Sequence, residues 1–249
     1  MEDNFPGLFL SRKLGSPMAA QPFKHRIEHT KNKHSRAVCK GNTIIIRLAR
    51  NLSGTEEQEH IQSLLRRMTH LVLEEREKKM VDPFRHLLSG GQTQSITLAT
   101  GKKFMFALVP AARTRAVRTS TGWKIEVSPQ VRRTSLHRLF WSLISKQELP
   151  RISALVHKIN EETYNVRIRE VKISFATTQW GSCSPRGVIM LNTALLFLPP
   201  SLLRYVIIHE LAHRRHANHS DAYWREVESM LPGYKKPYQE LQNYRLPQA

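Results

Sequence analysis

An α+β fold is predicted for this chain: a β-rich N-terminal half, then a helical core with a small sheet. Two observations carry the prediction. Short alternating apolar runs, separated by Gly, Asn and Pro, fill much of residues 23–129. From residue 130 to 249 apolar residues recur mostly at helical spacing, broken by two short strand-like runs. Residues 1–22 carry Gly, Pro and Ser without periodicity and are expected to form a loose tail.

The elements follow in order. Ala37–Cys39 and Thr43–Ile46, joined by Gly41-Asn42, read as a β-hairpin. From Thr55 to about Lys79, Ile61, Leu64, Leu65, Met68, Leu71 and Val72 share one side of a helix. Asp82-Pro83 and Ser89-Gly90-Gly91 mark loops. Strands are expected at Ser95–Leu98, Phe104–Val109, Ala116–Arg118 and Lys124–Val127. Two helices follow, Ser135–Lys146 and Arg151–Glu162, separated at Pro150. A strand at Val171–Phe175 precedes a tight loop, WGSCSPRG. A second strand, Val188–Leu191, either offers a free edge to an extended peptide or lies inside a sheet.

Composition narrows the setting. Of 249 residues, 39 are Lys or Arg against 20 acids, a net charge of +19 that favours anionic partners, nucleic acid among them. Two widely spaced cysteines make no disulfide framework and fit a reducing, cytoplasmic location. The N-terminal residues lack a basic start followed by an apolar core, so no secretory signal is expected. The most apolar stretch, Val188–Ala212, is interrupted by Asn192, Pro199, Pro200 and Arg204, so no membrane span is expected either.

Chemistry concentrates in SLLRYVIIHELAHRRHANH, residues 201–219. Ser201 is a plausible N-cap after Pro199-Pro200. Apolar residues then cover nearly every face, which predicts a buried helix. His209 and His213 lie one turn apart on one face and can grip a single ion. Glu210 is rotated by about 100° from His209, too far to ligate easily but placed to reach a water on the metal. That pattern is HExxH, in which two imidazoles bind zinc and the carboxylate takes the water's proton. With this chain's His and Glu content, shuffling yields the pattern only roughly 0.04 times per chain. Burying two imidazoles and a carboxylate among Ile207 and Ile208 also needs strong compensation, which a metal supplies.

Two histidines leave zinc under-coordinated. His216 stands about 10.5 Å along the axis from His209, too far to close a tetrahedron. If the helix ends near Arg215–Ala217 and Asn218 adopts the left-handed conformation, the chain folds back. Ser220 or Asp221 then caps a new helix through Ala222–Leu231, with His219 facing the metal. Glu226 or Glu228 is the alternative third ligand. His216, Tyr223 and Tyr234 are candidates to stabilise an oxyanion. Cys183, followed by a turn rather than a helix, reads as a packed thiol. Trp180 reads as part of the site's floor. His25 and His29 read as incidental. Arg214-Arg215 and Lys235-Lys236 flank the site and either favour acidic substrates or nearby nucleic acid, or are merely solvated.

The segments WGSCSPRGVIMLN, LPPSLLRYVIIHELAHRRHANHSDAYW and LPGYKKPYQEL resemble the YgjP-like, or SprT-like, zinc metallopeptidase family. The likeness is dense from about Val171 to Leu241. It continues upstream, where HRIEHTKNKHSRAVCKGNTIIIRLARNLS resembles the family's N-terminal hairpin. The resemblance implies a zincin-like core, a peptide or protein substrate, a metal site at His209, His213 and His219, and a catalytic Glu210. Gln179 departs from the family, whose residue before the tryptophan is often basic. Two other readings stand beside peptide hydrolysis: a DNA-associated protease of the SprT/Spartan kind, and a non-catalytic zinc-bound scaffold.

Overall fold

The computed structural model describes residues 23–89 and 93–247, so the expected tail at 1–22 lies outside the described residues. The chain divides after Glu77 into two compact units.

In the first unit β1 (Lys24–His29), β2 (Arg36–Lys40) and β3 (Thr43–Leu48) form a sheet in the order β1-β3-β2. The expected hairpin is β2 and β3, paired antiparallel with Lys40 opposite Thr43. Gly41 carries the positive φ, 59°, that a two-residue turn asks of its first residue. Helix α1 (Gly54–Glu77) starts at a reciprocal box: the Ser53 amide donates to Glu56, and the Glu56 amide donates to the Ser53 hydroxyl. Leu65 is buried against Ile44, Ile46 and Leu48, with Ile61, Leu64, Met68 and Val72 packed beside it. Leu71, expected on the same stripe, is 47 % exposed. It lies about 80° from Ile61 at 100° per residue, off the edge of the apolar arc.

The second unit opens with β4 (Lys79–Met80), then β5 (Thr93–Thr97), β6 (Lys103–Pro110), β7 (Arg115–Arg118) and β8 (Gly122–Val127). The last four form a sheet in the order β5-β6-β8-β7. Gly122 lies opposite Met105, and a Cβ there would stand 1.9 Å from the Met105 carbonyl oxygen, so only glycine fits. Phe104, Phe106, Trp123 and Ile125 point into a core shared with helix α2 (Arg133–Glu162). The change in composition near residue 129 thus falls inside this unit.

Sequence spacing predicts two helices around Pro150; the structure has one, α2, running through it. Phe140, Trp141 and Ile144 before the proline, and Ile152, Val156 and Ile159 after it, enter the same core. Each is worth about 1.5–3 kcal/mol of burial, against about 3 kcal/mol for an interior proline. Lys146 and Pro150 are both exposed, so water can reach the carbonyl that loses its partner. Two residues before the proline, the Glu148 side chain is fully buried between Lys102 Nζ at 2.8 Å and Arg151 Nε at 2.6 Å. Burial alone would raise its pKa, but the two cationic hydrogen bonds outweigh that and hold the carboxyl below its ordinary range.

Beyond α2 come β9 (Glu170–Ser174), β10 (Gly181–Cys183) and β11 (Val188–Asn192), a sheet in the order β10-β11-β9. Helices α3 (Pro200–Ala212), α4 (Asp221–Met230) and α5 (Lys235–Leu241) complete the core, and β12 (Tyr244–Arg245) pairs with β4. Among the described residues no helix is long and apolar enough to cross a membrane. The architecture is α+β, as its sequence patterning implies.

Candidate metal centre

Helix α3 begins without the expected Ser201 cap. Pro199 stands at the cap and Pro200 takes the first helical position, where the missing N–H costs nothing. Every residue from Tyr205 to Ala212 is buried, His209 and Glu210 included at 3 % exposure each. The helix ends at Ala212, earlier than expected, with His213 as its C-cap at φ −65°, ψ −11°. The Arg214 amide donates to Leu211 and the Arg215 amide to Ala212, the tightened i→i−3 pattern of a closing turn. Asn218 is not left-handed; the 3₁₀-like turn reverses the chain instead. Ser220 then caps α4, its hydroxyl accepting from the Tyr223 amide at 3.4 Å.

This path carries His219 back over α3. Its Nε2 lies 3.2 Å from Nε2 of His209, and ring nitrogens of His209, His213 and His219 all fall within 4.8 Å of one another. A tetrahedral ion with bonds of about 2.1 Å holds its ligands about 3.4 Å apart, so the donor set fits a metal. His213 Nδ1 faces the His216 carbonyl at 3.1 Å, which leaves Nε2 for an ion. Burial first, and then His213 and His219 nearby, push the His209 pKa well below its ordinary value, so this imidazole stays neutral. His219 stacks against His209 at 5.0 Å and against Trp224 at 5.6 Å, and Trp224 stacks in turn on Tyr234 at 5.3 Å.

The other candidates are placed elsewhere. His216 Nε2 pairs with Glu226, which also meets Arg215, so neither His216 nor Glu226 joins the histidine trio. Glu228 accepts from the Gly233 amide at 3.1 Å. Tyr223 is fully buried with its hydroxyl 2.7 Å from His209 Nδ1, behind the imidazole rather than beside an open reaction space. The arginine pair is not merely solvated: Arg214 donates to the Pro185 carbonyl at 2.8 Å and Arg215 to the Tyr164 carbonyl at 2.7 Å. His29 faces Glu57 in the first unit, and His25 is exposed on β1.

The WGSCSPRG segment holds what spacing alone does not reveal. Its first half is a strand, β10, antiparallel to β11. Consequently β11 is internal, and the free sheet edges belong to β10 and β9. An added Cβ on Gly181 would stand 2.5 Å from Glu210 Oε1 and 2.9 Å from its Cγ, so this glycine makes room for the carboxylate. Asn192, 1 % exposed, fixes the approach to β10: its Nδ2 donates to the Ala176 and Gln179 carbonyls, both at 2.8 Å, and its Oδ1 accepts from Ala194. Burial, reinforced by the charge of Glu210, pushes the Cys183 thiol up to about 11, against any thiolate role.

The chain carries a metallopeptidase domain. More narrowly, the chain belongs to the YgjP-like family, whose metallopeptidase domain matches residues 56–244. Among solved structures it is similar to the metallopeptidase zymogen of Pyrococcus abyssi, abylysin. The two share 29 % identity over 36 % of this chain and 90 % of that one, with a TM-score of 0.34. A search of curated proteins gave no match.

Proposed function

We propose that the chain is a zinc-dependent peptidase in which His209, His213 and His219 hold the ion and Glu210 is the general base. The observation that carries this reading is the convergence of three imidazoles from α3 and the bend after it, next to a buried carboxylate. Imidazole-only donors suit zinc among the common divalent ions. Zinc, when bound, supplies Lewis acidity that brings the pKa of a coordinated water towards about 7. Glu210 takes up the proton released there and returns it to the leaving amine. A substrate in extended form finds unpaired backbone on β10, the edge strand whose Gly181 covers Glu210, and main-chain pairing there holds it with little demand on its sequence.

Metal analysis coupled to cleavage of a peptide library tests the reading. Purified protein is expected to carry one zinc ion per chain, to lose cleavage on chelation and to regain it with added zinc. Folded protein that takes up no transition metal would sink it.

The position of Gly181 makes a sharper prediction. Gly181→Ala sets a methyl against the Glu210 carboxylate and displaces it while the histidines keep their places. Misplacing a reacting group by about 1 Å can cost on the order of 10²-fold, so kcat/KM should fall about 10- to 100-fold with zinc content unchanged. Unaltered kcat/KM would mean that Glu210 does its work from elsewhere.

A further inference from the structure

The hydroxyl of Tyr223 meets one residue twice. It lies 2.7 Å from His209 Nδ1 and 3.1 Å from the His209 carbonyl oxygen. In the second contact the phenol must be the donor, because a carbonyl oxygen can only accept. A phenol carries one proton and can give it to only one of the two. If it gave it to Nδ1, the proton of the neutral ring would sit on Nε2 and block the face turned to His219. The arrangement that satisfies both contacts is the other one. The phenol donates to the carbonyl, and the Nδ1–H donates to the phenol oxygen.

We propose that Tyr223 is a positioning residue that fixes the tautomer of His209, leaving Nε2 bare and aimed at the space shared with His213 and His219. The tyrosine ring is itself held in place. It is fully buried, it comes from α4 rather than from the metal helix, and it packs against His213 at 4.9 Å and His219 at 4.8 Å. His213 is oriented in the same sense by a different acceptor, the His216 carbonyl. Nδ1 is engaged in both histidines, so the two ring N–H groups are directed away from the shared centre. Partners of this kind typically change metal affinity by about 10- to 100-fold when removed.

The proposal rests on His209 as a zinc ligand, and two measurements separate the failure of one from the failure of the other. Imidazole ¹⁵N spectra of the metal-free wild-type protein read the tautomer directly. Nδ1 of His209 should be protonated and Nε2 unprotonated; a ring protonated on Nε2 overturns the clamp whether or not zinc binds. Tyr223→Phe then removes the hydroxyl alone. Competition against a chromogenic chelator should show zinc bound about 10- to 100-fold more weakly, while Tyr244→Phe, on β12 away from the histidines, binds as wild type does. Zinc affinity in Tyr223→Phe within about threefold of wild type overturns the proposal. Wild-type protein that binds no zinc, yet shows the Nδ1-protonated ring, defeats the metal reading and leaves the clamp standing.

Discussion

Glu210→Gln should keep the zinc and lose the hydrolysis, with kcat down by about 10²–10⁴-fold, the usual weight of a general acid–base. The amide has nearly the size of the carboxylate, so it can occupy the place that Gly181 leaves open. What it cannot do is accept a proton and hand it on. Glu210 is buried at 3 % exposure, and no large rearrangement is needed to house a neutral group there. The histidines sit on a different face of α3, which is why metal content is expected to stay level. Metal analysis and peptide turnover on one preparation decide the matter. Full turnover by the glutamine variant would remove Glu210 from the chemistry, and loss of both zinc and turnover would make it part of the ion's support instead. Gly181→Ala separates position from proton transfer, because it keeps the carboxylate and moves it.

Much of this site is legible in the chain itself. HELAH on an all-apolar background requires a buried helix, and one turn between His209 and His213 places both rings on one face. Even the return of His219 follows from its place just ahead of a serine able to cap the next helix. The reversal itself comes about differently, through a tightened turn at Arg214–His216 rather than a left-handed Asn218. Several local solutions can reverse a chain within a few residues, and sequence does not choose among them.

What stays hidden depends on partners distant in sequence. Alternation in Val188–Asn192 shows a strand but not its neighbours, and only the pairing of β10 and β9 on either side makes it internal. Nothing near Gly181 announces that Glu210, 29 residues later by their numbers, needs its missing side chain. Arg214 and Arg215 look like surface charge until the carbonyls of Pro185 and Tyr164 come to meet them. Their use inside the fold also removes them as evidence for acidic substrates. The +19 charge of the chain stands, but this pair just beyond α3 is committed to structure. Pro150 misleads for the opposite reason: a strong local signal yields to apolar residues on both sides that share one core.

His219→Ala should lower bound zinc well below one ion per chain and take turnover with it. The two histidines of α3 alone offer two bonds, and neither nearby glutamate stands ready to replace the third. Glu226 is held by His216 and Arg215, and Glu228 by the Gly233 amide. The loss should be one of coordination and not of fold. His219 is only half-buried, and α4 keeps its Ser220 cap, its buried Tyr223 and its buried Val227. Circular dichroism and melting of the metal-free proteins should therefore match closely, while zinc content after gel filtration differs. His216→Ala provides the contrast, because that ring faces Glu226 and its removal should leave zinc content near the wild-type value. If the two variants exchange behaviours, the third ligand is His216, and the bend after α3 must open further than its hydrogen bonds at Ala212 allow.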